Sequence, residues 1–113
     1  MARYRDEDQA AADGIRIVHE PERSRYAALR GSGDDALLIG EAHYTLLGDD
    51  AIDFDHTVVT PPMRGTGVAG LLAQRALTGE AARGRRVRAS CWFIAGYLGR
   101  HPELLDDEGR PTR

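Results

Sequence analysis

Three glycines mark a segment whose residue types and spacing suit the binding of an anion. Residues 63–70, MRGTGVAG, contain the pattern G-x-G-x-x-G at Gly65, Gly67 and Gly70. Glycines at the start of a helix let the backbone turn sharply and direct free N–H groups toward one point, where the helix dipole adds about half a positive charge. Arg64 adds a full charge at the rim of this loop. The segment suits a pyrophosphate, and the alternative is a strand-to-helix connection that binds nothing.

The residues around the glycines show whether this segment can be one of the two best-known phosphate-binding loops. A dinucleotide-binding turn follows its strand directly and has an acidic residue about twenty positions beyond the last glycine. In this chain residues 60–64 separate the strand from the loop. Ser90 and Cys91, rather than an acidic residue, stand about twenty positions beyond the last glycine. A P-loop requires a lysine, and the chain has none. Neither loop fits, so a pyrophosphate would have to belong to another ligand.

Two further side chains are candidates for chemistry. Cys91 ends an alternating strand, where a lone cysteine most often packs as a small hydrophobe. The alternatives are a nucleophile, favoured by the start of the following helix, or a group that lines a substrate pocket. His56 falls on the same predicted strand face as Ile52, Phe54 and Val58, which predicts a hydrogen-bonded histidine in the core. If it faces a cleft instead, His56 is a candidate general base.

Hydrophobic patterns predict the elements that position these residues. Alternating and β-branched runs predict strands over 14–20 and 24–31, and a hairpin over 34–59 that turns at 48–50. A helical stripe predicts a helix from Val68 to Arg83, capped at Gly84. Beyond this helix, the patterns predict a strand over 85–91, with Val87, Ala89 and Cys91 on one side, and then a short helix over 92–101. The order β-β-β-β-α-β-α is that of an α/β domain over 14–105, with a disordered tail at 1–13 and a polar tail at 106–113.

Composition narrows the classes of function and partner. The 113 residues suffice for one domain, and 42% apolar with 29% charged residues is ordinary for a soluble protein. A net charge of −3 gives no reason to expect nucleic acid, and no apolar stretch is long enough to span a membrane. The first thirteen residues lack the apolar segment of a secretory signal, and the single cysteine forms no internal disulfide. These observations predict a cytoplasmic protein, monomeric or weakly dimeric through a sheet edge.

Two longer segments resemble a known family. HTVVTPPMRGTGVAGLLAQRAL, followed by VRASCWFIAGYLGRHPELL, is similar to the small subgroup of GNAT-type N-acetyltransferases over about residues 15–105. The specific matches are His-Thr at a strand end, the Arg-Gly-x-Gly-x-Ala loop, and a cysteine followed by tyrosine and His-Pro-Glu. The resemblance implies a mixed, mostly antiparallel sheet whose fourth and fifth strands splay apart, with acetyl-CoA in the gap and no metal.

The resemblance also implies roles for individual residues. The backbone of Thr57, Val58 and Val59 would pair with the pantetheine arm of coenzyme A. The pyrophosphate would bind the loop amides, which are those of Arg64, Gly65, Thr66, Gly67, Val68 and Ala69. Tyr97 falls where GNAT enzymes often keep the general acid for the departing thiolate, although a packed tyrosine is the alternative. Cys91 matches a cysteine that the subgroup places near the acetyl group.

Two hypotheses of function follow from the resemblance. The first is an acetyl-CoA-dependent N-acetyltransferase that acts on an amine, either directly or through acetyl-Cys91. The second is a module that binds coenzyme A or acetyl-CoA with little turnover. It is favoured by Val58, which stands where many relatives have a glutamate, and by the lack of room for the helices that shape the acceptor pocket in larger GNAT enzymes. Acidic residues near the hairpin turn would attract a cationic amine if they border the acceptor cleft: Asp49, Asp50, Asp53 and Asp55.

Overall fold

The computed structural model describes residues 3–112 and contains one sheet of five strands with helices packed on it. Sheet order follows chain order, and pairing is antiparallel from β1 to β4 and parallel between β4 and β5. The predicted strand and helix order is confirmed, with one additional helix at the start. The elements are α1 (Glu7–Ala12), β1 (Ile15–Glu20), β2 (Arg25–Arg30), β3 (Leu37–Leu47), β4 (Ala51–Val59), α2 (Val68–Thr78), β5 (Arg86–Arg88) and α3 (Trp92–Arg100).

The prediction of a disordered N-terminal tail is wrong for the residues that the structure describes; residues 1 and 2 lie outside them. Asp6 caps α1 by accepting a hydrogen bond from the Gln9 amide at 2.8 Å. Tyr4 is 3% exposed, and its hydroxyl donates to the Asp13 carboxylate at 2.6 Å. The pattern missed this segment because a single buried aromatic residue and a six-residue helix leave no hydrophobic periodicity to detect.

The core lies between α2 and one face of the sheet. The predicted helical stripe is confirmed, since Val68, Leu71, Leu72 and Ala76 are all buried. Gly40 of β3 allows the helix to approach closely, because a Cβ atom there would lie 3.1 Å from the Leu72 side chain. The other face of the sheet, here called the outer face, is not covered by α2 and carries polar residues of β3 and β4.

A β-bulge in β4 overturns the predicted position of His56. His43 of β3 pairs with His56, whereas Tyr44 pairs with Phe54, so Asp55 is an extra residue in β4. The extra residue reverses the alternation of faces beyond it. Phe54 is buried on the α2 side, but His56 is exposed on the outer face. The prediction of a core histidine is therefore wrong, because strict alternation from residue 52 onward ignores the bulge.

Helix α2 ends at Thr78, five residues before the predicted end. Gly79 has the extended conformation (φ −87°, ψ −178°), and the Tyr26 hydroxyl accepts a hydrogen bond from the Ala81 amide at 3.1 Å just beyond it. Because the buried Tyr26 side chain accepts a hydrogen bond from this backbone amide, the backbone beyond Gly79 has a partner outside the helix, and α2 ends at Thr78. The predicted cap at Gly84 is therefore wrong, although Gly84 does have a positive φ of 76° in the turn before β5.

The polar segment after residue 105 folds back onto the sheet. The Asp106 carboxylate accepts hydrogen bonds from the amides of Glu108 and Arg110, at 2.9 and 3.0 Å. The hydrogen bond from the Arg110 amide is the largest of the effects that lower the pKa of Asp106. The carbonyl of Gly109 accepts from the Val87 amide at 2.8 Å, which ties this turn to β5. Residue 113 lies outside the described part of the chain.

Candidate functional site

A gap opens between β4 and β5, as predicted. Parallel pairing covers only three residues on each strand, from Ala51–Asp53 to Arg86–Arg88. The next link between the two backbones is a hydrogen bond of 3.0 Å from the Cys91 amide to the Phe54 carbonyl. Beyond it, β4 remains paired with β3 along one edge, and its other edge faces a cavity of about 350 Å³. The cavity is lined by Thr57, Val58, Val59, Arg64, Ala69, Cys91, Trp92 and Phe93.

The glycine loop joins this gap to the start of α2. Gly65 and Gly67 have φ values of 79° and 97°, which a residue with a side chain adopts only under strain. The amides of Gly65, Gly67, Val68 and Ala69 lie in and after this double turn, and none of them has an acceptor among residues 3–112. Free amides at a helix N-terminus form an anion-binding arrangement.

Two of the predicted loop amides are already used within the protein. The Arg64 amide donates to the Pro61 carbonyl at 3.2 Å, and the Thr66 amide donates to the Met63 carbonyl at 3.3 Å. The Thr66 hydroxyl also donates to Met63, and its side chain is buried. Thr66 therefore shapes the loop from inside, while Arg64 can reach a ligand only with its exposed side chain.

Cys91 lies at the inner end of the gap. The residue is 9% exposed, and its thiol donates to the Thr57 hydroxyl across the gap, with 3.6 Å between sulfur and oxygen. Cys91 is also the residue that precedes α3, whose helix begins at Trp92. Cys91 thus combines two of the three sequence interpretations, because it packs against the core and also lines the cavity.

Tyr97 lies away from the thiol, on another cavity. Its hydroxyl donates to the Gln74 side chain at 2.6 Å, and its ring lies 4.4 Å from that of His101. Burial is the main reason why the pKa of Tyr97 is raised above its ordinary value. The structure thus brings Cys91 together with Thr57 in the gap, whereas Tyr97 lines a different cavity, which it shares with Gly67 of the loop.

The second cavity is a groove of about 700 Å³ along the exposed side of α2. One wall is formed by Tyr97 and His101, and the floor by Gly67, Gly70, Leu71 and Gln74. The other wall is the N-terminal segment: Tyr4, Arg5, Asp6, Glu7 and Asp8. The groove begins at the same glycine loop as the gap. Sequence reasoning missed this wall, since it assigned residues 1–13 to a disordered tail.

The acidic residues near the hairpin turn do not act as one cluster. Asp53 accepts hydrogen bonds from the amide and hydroxyl of Ser90, at 2.9 and 2.7 Å. Asp50 pairs with Arg110 at 2.6 Å. Asp55 bonds to Thr45 and His43 on the outer face. Of the four aspartates, only Asp55 is adjacent to the exposed His56, whose side chain has no hydrogen bond among residues 3–112.

Comparison with known proteins identifies this domain. A five-stranded, mostly antiparallel sheet with a gap between β4 and β5 is consistent with the GNAT fold. Residues 25–107 match the model of the GCN5-related N-acetyltransferase family, and the chain belongs to that family. Membership in this family supports an acyl-transfer function.

Vertebrate relatives of similar length give the same assignment. The chain is 32% identical to protein NATD1 of Mus musculus over 89 residues, which is 78% of this chain and 77% of the mouse protein. It is 32% identical to protein NATD1 of Homo sapiens over 89 residues, with 78% and 75% covered. Protein NATD1 of Xenopus tropicalis is 29% identical over 92 residues, with 80% and 81% covered. None of the helices within residues 3–112 is long and apolar enough to cross a membrane.

Proposed function

We propose that this protein is an N-acetyltransferase that uses acetyl-CoA and acts on an amine. The observation that carries the proposal is the position of four free amides at the start of α2, directly beside an unpaired strand edge. Coenzyme A has a pyrophosphate joined to an extended arm that contains amides. The two halves of the site match these two chemical features.

The donor would bind along the gap. The edge of Thr57–Val59 offers backbone groups to the pantetheine arm, which would add to β4 in the manner of a strand. The amides of Gly65, Gly67, Val68 and Ala69 would bind the pyrophosphate. The thioester would then reach the inner end of the gap, where Cys91 and Thr57 lie.

Transfer requires three further contributions, which are a deprotonated amine, stabilisation of the oxyanion and a proton for the thiolate. His56 is exposed at the bulge and is a candidate to receive the amine proton or to contact the amine. The Tyr97 hydroxyl would have to leave Gln74 before it could protonate the thiolate. Cys91 is a candidate to line the thioester pocket or to carry the acetyl group between two transfers.

A thermal melt with coenzyme A, acetyl-CoA and NAD tests the donor half of the proposal. A ligand at one hundred times its dissociation constant adds about 2.7 kcal/mol to the free energy of unfolding, which raises the midpoint by about 10 °C for a domain of this size. We expect this shift with both forms of coenzyme A and none with NAD. If no ligand shifts the midpoint, the proposed donor site is wrong.

A transfer assay then separates the enzyme from a binding module. Thiol release from acetyl-CoA is followed with a panel of primary amines, and acetylated products are identified by mass spectrometry. We expect turnover with cationic amines, which the carboxylates near the gap would attract. Binding of coenzyme A without turnover on any amine would favour the alternative, a module that holds acetyl-CoA. The apolar side chain of Val58 at the gap also supports this alternative.

A further inference from the structure

We propose that His43, oriented by Asp55, is the general base that removes the proton from the acceptor amine. This inference rests on the acetyltransferase function proposed above. It assigns a role to a residue that the sequence patterns did not single out, because His43 and Asp55 are twelve positions apart and meet only across two strands.

The side chain of His43 is fixed at one end and free at the other. Its Nδ1 atom lies 3.2 Å from one carboxylate oxygen of Asp55, and the other oxygen accepts a hydrogen bond from the Thr45 hydroxyl at 2.7 Å. When Nδ1 carries the proton toward this carboxylate, Nε2 keeps a free lone pair. Nε2 has no partner among residues 3–112, and the side chain is 39% exposed. An oriented imidazole with one accessible nitrogen is what a general base requires.

The bulge connects this pair to the gap. The backbone hydrogen bond from Cys91 to β4 ends at Phe54, and the next residue is Asp55, the extra residue of the bulge. The residue at which the gap begins is therefore the residue that orients His43. Bulges often occur beside active sites, where they redirect a side chain. An acceptor that enters from the outer face would meet His43 and His56 before it reached the gap.

The groups around His43 leave Asp55 as the charge that acts on it most directly. Apart from this carboxylate, His43 faces Arg25 of β2 and His56 of β4, which lie opposite it in the two strand pairings. The Arg25 guanidinium is bound by two carboxylates, Glu20 at 2.6 Å and Glu41 at 3.2 Å. These two carboxylates therefore offset the positive charge of Arg25 near His43. His56 has no carboxylate partner among residues 3–112, which makes it the weaker candidate for the base.

The proton and electron balance of the step is complete. Nε2 of His43 takes a proton from the acceptor ammonium, and Asp55 stabilises the resulting imidazolium. The amine nitrogen bonds to the thioester carbonyl carbon, and the tetrahedral intermediate then breaks its carbon–sulfur bond. The nitrogen gives up its second proton to water, and the sulfur leaves with the electron pair and takes up a proton from water, so that the whole transfer releases one proton. His43 returns its own proton to solvent.

The test compares pH profiles of kcat/KM for the whole protein, with acetyl-CoA and whichever amine of the panel supports turnover. For His43→Gln we expect a loss of about 100-fold in kcat/KM and the disappearance of the acid limb. KM for acetyl-CoA and the thermal shift with coenzyme A should stay unchanged. Asp55→Asn should reduce the rate less than His43→Gln does, because the imidazole is still present but loses the carboxylate that orients it.

His19→Gln is the matched control. His19 also bonds to a carboxylate, Glu80 at 2.8 Å, but it lies on the face covered by α2. We expect it to keep the wild-type pH profile. If the wild type transfers acetyl groups and His43→Gln keeps the same rate and profile, the inference is overturned while the proposed function stands. If the wild type binds coenzyme A but acetylates no amine, the proposed function itself fails, and the role of His43 fails with it.

Discussion

The sulfur of Cys91 lies 3.6 Å from the hydroxyl oxygen of Thr57, across the gap between β5 and β4. The thiol donates this hydrogen bond, the residue is 9% exposed, and no cationic side chain hydrogen-bonds to it among residues 3–112. Cys91 also precedes α3, and a helix N-terminus is a position that suits a nucleophile. Its hydrogen bond to Thr57 and its packing on the core favour the other role, a side chain that lines the pocket.

We therefore expect direct transfer to the amine. Cys91→Ala should lower kcat by less than about tenfold, which corresponds to about 1.4 kcal/mol in the barrier. Initial-rate kinetics should show that both substrates bind before product leaves. Thr57→Val is the companion variant, since it removes the hydroxyl and keeps the shape. An acetyl adduct on Cys91 in the intact mass, formed without amine, would contradict this prediction.

The three glycines of the loop should respond differently to alanine. Gly65 and Gly67 have positive φ, so alanine there should cost about 1–2 kcal/mol in stability and weaken coenzyme A binding. Gly70 lies inside α2, and a Cβ atom there would meet no neighbouring group within 4 Å, so alanine should stabilise the fold by about 0.5–1 kcal/mol. Urea unfolding and calorimetric titration measure both effects. Equal effects at all three positions would count against a specific role of the loop.

The sequence predicted the loop because its signal is local. A turn at Gly65 and Gly67 followed by the stripe of Val68, Leu71 and Leu72 needs no information from the rest of the chain. The face of His56 could not be predicted in this way. It depends on one extra residue at position 55, which appears only when β4 is aligned with β3.

Long-range contacts also account for the other errors. Helix α2 stops at Thr78 because the Tyr26 hydroxyl, from a distant strand, occupies the position beside Gly79. The segment around Tyr4 is ordered because its backbone amide donates to the Thr66 carbonyl at 2.8 Å. Neither contact is visible in the local sequence, so the N-terminal wall of the groove and the end of α2 could not be predicted from it.

Gly79→Ala should test the contact between α2 and β2. A Cβ atom at this position would lie 2.7 Å from the Arg75 carbonyl oxygen and 2.9 Å from Cζ of Tyr26, and still closer to the Tyr26 hydroxyl. We expect a loss of about 1–3 kcal/mol in the free energy of unfolding, as for other overpacked cores. Tyr26→Phe combined with Gly79→Ala should recover part of this loss. Urea unfolding of the single and double variants measures the recovery, and strict additivity would show that the contact with the hydroxyl is unimportant.

Tyr4→Ala should show that the N-terminal segment belongs to the fold. Truncation of this buried aromatic side chain should cost about 3 kcal/mol, because it removes packed surface and the hydrogen bond to Asp13. Arg3→Ala is the control, since Arg3 is exposed. Since residues 4–8 line the groove beside the glycine loop, Tyr4→Ala should also weaken coenzyme A binding. A melt in which both variants match the wild type would contradict the packing of this segment.

Acid stability should depend on two carboxylates with lowered pKa. Burial acts to raise the pKa of Asp55, but the hydrogen bonds from Thr45 and His43 outweigh it and lower the pKa. The hydrogen bond from His19 lowers the pKa of Glu80. A carboxyl whose pKa is lower in the folded state stabilises the fold above its unfolded pKa of about 4. This contribution is lost as the pH falls through the folded pKa, where the native state also becomes protonated.

Asp55→Asn and Glu80→Gln should therefore lower stability at neutral pH and make it fall less steeply below about pH 4. Urea midpoints measured across this range give the slope directly. Asp49→Asn is the control for charge alone, because Asp49 is exposed and has no hydrogen-bonded partner among residues 3–112. Its slope should stay close to that of the wild type. If Asp55→Asn and Asp49→Asn gave the same slope, the bonds to Thr45 and His43 would contribute nothing to stability, and the orientation of His43 by Asp55 would lose its energetic basis.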